Sequence, residues 1–136
     1  MTAKALLERI ITLRKAIDYR KTKVRALIAQ AENTSARLTG MPHIPSSATS
    51  AVENAVCSAD ILEREITELD LERKSLIAKI DLLEDTDLSR LLTLRYVQES
   101  RWDDIMAELG YCESHIFRLH RQALIMLNGT LKNESK

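Results

Sequence analysis

The chain has 136 residues, equal numbers of acidic and basic side chains, and a formal net charge of zero at pH 7. Apolar residues make up 45% of it and aromatic residues only 4%, with three glycines and two prolines. Because residues that interrupt helices are scarce, this composition predicts an all-helical fold. A net charge of zero argues against strong, indiscriminate binding to nucleic acids, which depends on basic surface.

Two sequence features bear on where the protein resides. No apolar run approaches the ~18 residues that a membrane-spanning helix needs, and no signal-peptide pattern opens the chain. The two cysteines, Cys57 and Cys112, do not make a disulfide framework. We therefore expect a cytoplasmic protein that does not bind membranes.

The sequence offers little material for catalysis or metal binding. It has three histidines and no evident Ser-His-Asp or paired-carboxylate arrangement. Cys112, His115 and His120 resemble part of a zinc site, but a structural zinc ion needs four ligands, and Cys57 lies on a distant predicted helix. We expect neither an enzyme nor a cofactor.

Residues 1–86 are predicted to form a long antiparallel helical hairpin or coiled coil. Its helices span about 3–39 and 50–84, with a loop at 40–49 that holds both prolines. Each helix carries a heptad seam that a single arginine interrupts. The first seam contains Leu6, Ile10, Leu13, Ile17, Arg20, Val24, Leu27 and Ala31, and the second contains Val52, Val56, Ala59, Leu62, Ile66, Leu69, Arg73, Leu76, Ile80 and Leu83.

Residues with known preferences for helix ends mark the bounds of these helices. Thr2 is placed to cap the first helix, and Gly40 followed by Pro42 would end it. Ser50 and Glu53 form a capping box, in which each side chain accepts a hydrogen bond from the other's backbone, and this predicts the start of the second helix.

The balanced total charge conceals a strong asymmetry between the two halves of the hairpin. Residues 1–40 carry nine basic and three acidic side chains, a net charge of +6, whereas residues 41–87 carry four basic and eleven acidic ones, a net charge of −7. Opposite charges on the two helices indicate that they pair with each other or with copies of each other. Both alternatives, an intramolecular hairpin and helices exchanged between subunits, remain open.

Residues 87–128 are predicted to form a three-helix domain that contains a helix-turn-helix. A short amphipathic helix, Trp102–Leu109, is followed by a break at Gly110 and then by a helix from about Glu113. Residues 129–136 are predicted to be a frayed tail.

End signals also support these three helices. The Asp85-Thr86-Asp87 sequence predicts a cap before the first of them, and Ser100 is predicted to cap the second, with Asp103 near its positive end. The apolar positions of the first of these helices are Leu88, Leu91, Leu92, Tyr96 and Val97.

A helical wheel gives the last helix an inner and an outer side. The inner side is predicted to contain Ile116, Leu119, His120, Ala123 and Leu127. The outer side is predicted to contain Ser114, Arg118 and Arg121, flanked by His115, Phe117 and Gln122. Hydroxyl, guanidinium and imidazole groups are the kind that read base edges and bind phosphates.

Residues 88–127 contain an ordered set of short motifs. They are Leu94-Arg95-Tyr96, Trp102-Asp103-Asp104-Ile105, Leu109-Gly110-Tyr111-Cys112, Ile116-Phe117-Arg118-Leu119-His120 and Ala123-Leu124. This set resembles the fourth conserved region of the sigma-70 family. It is most similar to that region in small phage-encoded regulators of the RinA- and ArpU-like group, which carry it behind a helical N-terminal half.

The resemblance implies sequence-specific binding of double-stranded DNA in the control of phage or prophage genes, in a bacterial host cell. The recognition helix would span about Glu113–Leu127. Side chains implied to face the major groove are Glu113, Ser114, His115, Phe117 and Arg118, and those implied to face phosphates are Ser100, Arg101 and Arg121.

The chain departs from the family pattern at two positions. Cys112 stands where the family usually has Ser or Thr at the cap of the recognition helix, and Glu113 stands where a basic residue is common. No counterpart of the region that melts promoter DNA is present, so we do not expect a complete sigma factor.

The sequence leaves open which partners the protein has and whether it reads DNA itself. Low net charge makes one subunit a weak DNA binder, so we expect either a homodimer through the N-terminal helices or assistance from RNA polymerase. The rival hypothesis is a helical protein-interaction module, for example one that docks on RNA polymerase without reading DNA.

Overall fold

The computed structural model describes residues 1–39 and 46–134, and side chains outside 34–50 within those ranges. The described chain is all-helical, as the composition predicted, and contains no strand. It has five α-helices and one π-helical turn: α1 (Ala3–Thr39), α2 (Ser46–Asp81), α3 (Thr86–Leu92) continuing into the π-turn (Thr93–Val97), α4 (Trp102–Leu109) and α5 (Glu113–Glu134).

The two long helices agree with the predicted ones except at the two ends of α2, which finishes at Asp81, three residues before the predicted end at 84. Thr2 caps α1, since its Oγ1 accepts a hydrogen bond of 3.1 Å from the Ala5 amide. The capping box predicted at Ser50 is wrong as a helix start, because α2 begins four residues earlier, at Ser46. The predicted break at Gly40 and Pro42 lies outside the described residues.

The structure divides into two compact units. The terminal unit combines Met1–Arg14 with Glu72–Lys136, and the central unit is Lys15–Leu71. Neither limit coincides with the predicted domain boundary between residues 86 and 87. The start of α1 and the end of α2 thus belong to the same unit as α3, α4 and α5.

The terminal unit holds most of the buried apolar side chains. Of the 21 that are buried among the described residues, 17 lie in this unit, and they come from every one of its helices. They are Ala3, Leu6, Leu7, Ile10, Leu13, Leu76, Ile80, Leu83, Leu88, Leu91, Leu92, Leu94, Ile105, Ile116, Ala123, Leu127 and Leu131. Burial on this scale is the main stabilising contribution to a helical unit.

Paired charges join α1 and α2 in both units. In the terminal unit Arg9 donates two hydrogen bonds of 3.1 Å to the Glu72 carboxylate. In the central unit Arg20, which interrupts the first seam, donates to Glu65 at 2.9 Å and to the Ala16 carbonyl. These pairs are largely exposed, so they orient the helices more than they stabilise them.

Local contacts set the start of α3 and the path of the chain from α3 to α4. Asp85 caps α3, as predicted, by accepting from the amides of Asp87 and Leu88. The π-turn then widens the helix, with the Gln98 amide donating to the Thr93 carbonyl. Glu99 ends it in the left-handed region, at φ 54°, and its carboxylate pairs with Arg14.

The start of α4 corrects one sequence prediction. The N-cap is Arg101, in an extended conformation and without a side-chain capping bond, so Ser100 is not the cap. Ser100 instead closes the preceding turn, because its amide donates to the Leu94 carbonyl and its carbonyl accepts from Arg95. Asp103 and Asp104 do lie in the first turn, where the helix dipole favours acidic groups.

Helix α5 continues into the residues 129–136 for which we expected a frayed tail. It runs to Glu134, and Leu131 is buried. The side chain of Asn128 accepts a hydrogen bond of 2.6 Å from the Ala3 amide at the start of α1. The end of α5 therefore makes contacts with the start of α1.

Gly110 and Gly129 give a matched test of the turn between α4 and α5. Gly110 has φ +75°, and no atom lies within 4 Å of the place a Cβ would take, so Gly110→Ala would be penalised by backbone conformation alone, by about 1–2 kcal/mol. Gly129 lies within α5 with equally open space, so Gly129→Ala should stabilise the protein by about 0.5–1 kcal/mol. Chemical denaturation measures both changes, and a stabilising Gly110→Ala variant would contradict the left-handed turn.

Candidate nucleic-acid interface

The candidate interface is built on the turn between α4 and α5. Helix α4 ends at Leu109, before the break predicted at Gly110, which adopts the left-handed conformation with its amide bonded to the Met106 carbonyl. Helix α5 begins at Glu113, and the Cys112 carbonyl accepts the first helical hydrogen bond, from the Ile116 amide at 2.9 Å. Three residues therefore link the two helices, a spacing typical of a helix-turn-helix.

A small apolar cluster holds these helices together. Leu91, Leu94, Ile105 and Ile116 form its centre, and each is at most 4% exposed. Around them pack the partly buried side chains of Trp102, Met106, Leu109, Tyr111 and Leu119. Because Ile116 faces the cluster, the opposite side of α5 must face away from it.

The outward residues of α5 lie where the helical wheel placed them. Ser114, Arg118 and Arg121 are exposed. Within the described part of the chain, neither guanidinium is engaged in an ion pair or a hydrogen bond. Both arginines are thus available to a ligand without first breaking a contact inside the protein.

The flanking residues are more constrained than the wheel indicated. The His115 ring is half-buried and lies 4.5 Å from the Tyr111 ring, whose hydroxyl donates to Asp87 at 3.1 Å. Phe117 contacts Trp102 edge-on, with ring centroids 5.1 Å apart, and is 37% exposed. Each presents only one side to solvent.

The remaining predicted contacts lie on both sides of the turn. Glu113 is exposed in the first turn of α5, where the positive end of the helix dipole favours a carboxylate. Arg101 is exposed immediately before α4, whereas Ser100 is half-buried and its backbone closes the preceding turn. Glu113 therefore has a structural reason to be acidic that does not involve DNA.

Sequence reasoning missed a polar layer beneath the interface. The guanidinium of Arg95 lies over the Trp102 ring, 4.6 Å from its centroid, and the Tyr96 hydroxyl is 2.8 Å from Nε2 of His120. His120 also contacts Trp102 edge-on. The π-turn brings Arg95 and Tyr96 to this position, and the apolar periodicity of the sequence carries no signal for such a turn.

The Cys112 thiol occupies the capping position of α5. Its Sγ lies 3.5 Å from the Ser114 hydroxyl, and hydrogen bonds from that hydroxyl and from the His115 amide lower the pKa of the thiol. The sulfur thus lies where a capping oxygen would, although sulfur is the weaker acceptor.

We expect Cys112→Ser to leave the free energy of unfolding unchanged or to raise it by up to ~1 kcal/mol, because a hydroxyl oxygen is the better cap. Cys57→Ser, at the exposed cysteine of α2, is the matched control and should be close to neutral. Thermal denaturation under reducing conditions gives both values. A clear drop in melting temperature for Cys112→Ser alone would mean that the helix start is wrongly assigned.

His120 makes the stability of the terminal unit depend on pH. Burial, and secondarily the charge of Arg95, lower the pKa of this imidazole below its ordinary value of 6.5. The unfolded chain therefore takes up a proton below about pH 6.5, whereas the folded protein takes it up only at lower pH, so the stability that is complete above pH 6.5 falls as the solution is acidified.

We expect His120→Gln to reduce the loss of stability between pH 7 and pH 5.5. Urea denaturation at both values measures the loss for each protein, and carboxylates contribute little in this range because they titrate near pH 4. Equal losses in the wild type and the variant would show that His120 does not control this response.

Comparison with known proteins gives one match. The model of a family described as a protein of unknown function, DUF1492, matches residues 47–128. The chain belongs to the DUF1492 family. The match covers most of α2, all of α3 and α4, and α5 as far as Asn128, whereas α1 lies outside it. No curated protein and no solved structure matches the chain significantly.

The family description names no activity, so the sigma-70 resemblance stays a prediction. Two further findings concern the described residues only. They contain no group of three or more His, Cys, Asp or Glu side chains that is arranged to hold a metal ion. They also contain no helix that is both long enough and apolar enough to cross a membrane.

Proposed function

We propose that this DUF1492 protein is a sequence-specific DNA-binding transcriptional regulator of phage or prophage type, in which α5 is the recognition helix. One observation carries the proposal. Ile116 is fully buried, while Ser114 and Arg118, on the other side of the same helix, are exposed and follow a glycine turn. A helix held in this way presents its first turns to the major groove.

The residues predicted to contact DNA have two proposed roles. Ser114, His115 and Arg118 read base edges, because a hydroxyl, an imidazole and above all a guanidinium match the hydrogen-bonding groups of the major groove. Phe117 supplies apolar contact and Glu113 accepts from a cytosine amino group. Arg121, Arg101 and Ser100 bind phosphates and set the position of the helix without reading sequence.

The proposal includes a particular architecture and particular partners. α1 and α2 form an antiparallel hairpin that carries the helix-turn-helix, and the protein acts as a homodimer through these helices or together with RNA polymerase. A subunit that neutralises two phosphates, with Arg101 and Arg121, gives a slope of about −1.8 in log affinity against log salt. A dimer doubles that slope, and its affinity should fall by roughly 150-fold between 50 and 200 mM salt.

A second candidate function is supported by the apolar residues on the same helix. Ile125 is 70% exposed, and Met126 and Phe117 are each more than a third exposed. Exposed apolar side chains on one helix are typical of a surface that binds another protein. A helical docking module, for example for RNA polymerase, is therefore the alternative.

The two functions are distinguished by binding measurements on selected DNA. After enrichment of bound sequences from a random pool, we expect Arg118→Ala to weaken binding by about 1–3 kcal/mol, roughly 5- to 150-fold, and to relax the preference at one base pair. Arg121→Ala should weaken all sequences alike and reduce the salt slope by about 0.9 for each subunit.

Lys132→Ala is the matched control, because Lys132 is an exposed cation of α5 outside the proposed contact. Each variant must keep the wild-type melting temperature. Failure to enrich any sequence, together with binding that is independent of salt, would refute DNA recognition and favour the docking module.

A further inference from the structure

The central unit buries few of its described apolar side chains. Among its described side chains only four apolar residues are buried, namely Ile17, Val24, Ala55 and Ala59. Other members of its seams, including Leu27, Leu62 and Ile66, are only partly buried. Helical domains bury their apolar stripes by packing one layer against another, and α1 and α2 side by side supply a single layer.

An apolar groove of about 530 Å³ runs between α1 and α2 in this unit. Its walls include Leu27, Ile28, Val52 and Val56. Ile28 is 44% exposed and Val56 is 50% exposed, although both are large aliphatic side chains. The groove therefore leaves apolar surface in water that a further helix would cover, with a stabilisation of roughly 25 cal/mol for each Å² buried.

The charges around the groove specify the chemistry of the helix that covers it. Glu32, Asp60 and Glu63 line its rim, so a basic amphipathic helix is favoured. The chain itself contains such a helix: within residues 15–33, α1 carries five basic and two acidic side chains beside its apolar seam. Residues 51–71 of α2 carry one basic and six acidic side chains.

We propose that the central unit of a second copy of this chain covers the groove, so that the two hairpin layers form a four-helix bundle. A two-fold axis parallel to the helices places α1 of each copy beside α2 of the other. Any arrangement that placed α1 beside α1 would bring like charges together. The basic helix then has acidic neighbours on both sides.

The available surface is sufficient for a stable dimer. Nineteen helical residues span roughly 30 Å, and two helices are about 20 Å wide, which gives a footprint of about 600 Å² per copy. The total of about 1,200 Å² lies at the lower end of the range for specific interfaces. A dimer of moderate affinity is expected from this area, because the interface is small.

This inference names the surface through which the proposed regulator dimerises, and its test requires no DNA. Sedimentation equilibrium on the full chain should give twice the subunit mass of 15.5 kDa. Ile28→Glu and Val56→Glu each place a carboxylate in the apolar contact and should raise the dimer dissociation constant at least about tenfold.

Ile125→Glu is the matched control, because Ile125 is an exposed isoleucine of the terminal unit. It should leave the dissociation constant unchanged, and circular dichroism must show wild-type helicity for all three variants. A wild-type monomer at every concentration, or an equal effect of the control, would overturn the proposal.

A charge exchange tests the pairing of α1 with α2 between copies. Lys21→Glu with Arg25→Glu makes both helices acidic, and Asp60→Lys with Glu63→Lys removes the acidic rim. Each double variant alone should dissociate, and an equimolar mixture should restore the dimer, because only a contact between chains can do so. The wild-type dimer should also weaken as salt rises.

The outcomes separate this inference from the proposed function. Dissociation that persists in the mixture, or double variants that dimerise as well as the wild type, would overturn the four-helix bundle. Arg118→Ala should dimerise normally, so a loss of DNA recognition in a dimeric variant bears on the function and not on the bundle. A dimer that selects no DNA sequence would leave the bundle standing and refute the regulator.

Discussion

The candidate interface depends on the rotational setting of α5, and burial of Ile116 against Leu91, Leu94 and Ile105 fixes that setting. Successive residues of a helix point about 100° apart, so a shift of one residue would move Ser114 and Arg118 to the flank of the outward side. The left-handed conformation at Gly110 fixes where the helix can begin. The packing of Ile116 and the turn at Gly110 favour the same rotation of α5. The helix therefore has one defined outward face.

The polar layer beneath α5 stabilises the rotational setting of this helix by hydrogen bonds and ring contacts, not by apolar burial. Arg95 and His120 are polar groups in a half-buried position, and each is satisfied: Arg95 by the Ser100 carbonyl and the Trp102 ring, His120 by the Tyr96 hydroxyl. Such contacts contribute modestly to stability but are directional, so they distinguish one packing of the helices from near alternatives. The neutral form of His120 is the one that fits, and this is why acidification opposes folding there.

The sequence predicted those features of the fold that depend on neighbouring residues. Helical periodicity identified the inward residues of α5, and the preferences of Asp85 and Gly110 identified a helix start and a helix end. The structure departs from the sequence predictions where distant contacts decide: the π-turn carries no local signature, and α5 extends into the expected tail next to a hydrogen bond from the Ala3 amide to Asn128, 125 residues away. The cap expected at Ser100 failed because Arg95 and Leu94 already engage its backbone. Exposure of Ser114 and Arg118 followed from periodicity alone, whereas their role in binding DNA remains a prediction from resemblance.

The two units differ in how many apolar side chains they bury among their described residues. Among the side chains that the structure describes, the terminal unit buries 17 apolar ones and the central unit four, so within that part of the chain only the terminal unit shows a substantial core. On the proposed scheme, folding of the central unit is linked to association and therefore to protein concentration. In the same scheme, DNA that holds two subunits on adjacent half-sites raises their local concentration, and by thermodynamic reciprocity the dimer binds DNA more tightly by the same factor. The proposed assembly would thus supply the DNA affinity that a single subunit of a chain with zero net charge lacks, while nonspecific binding stays low.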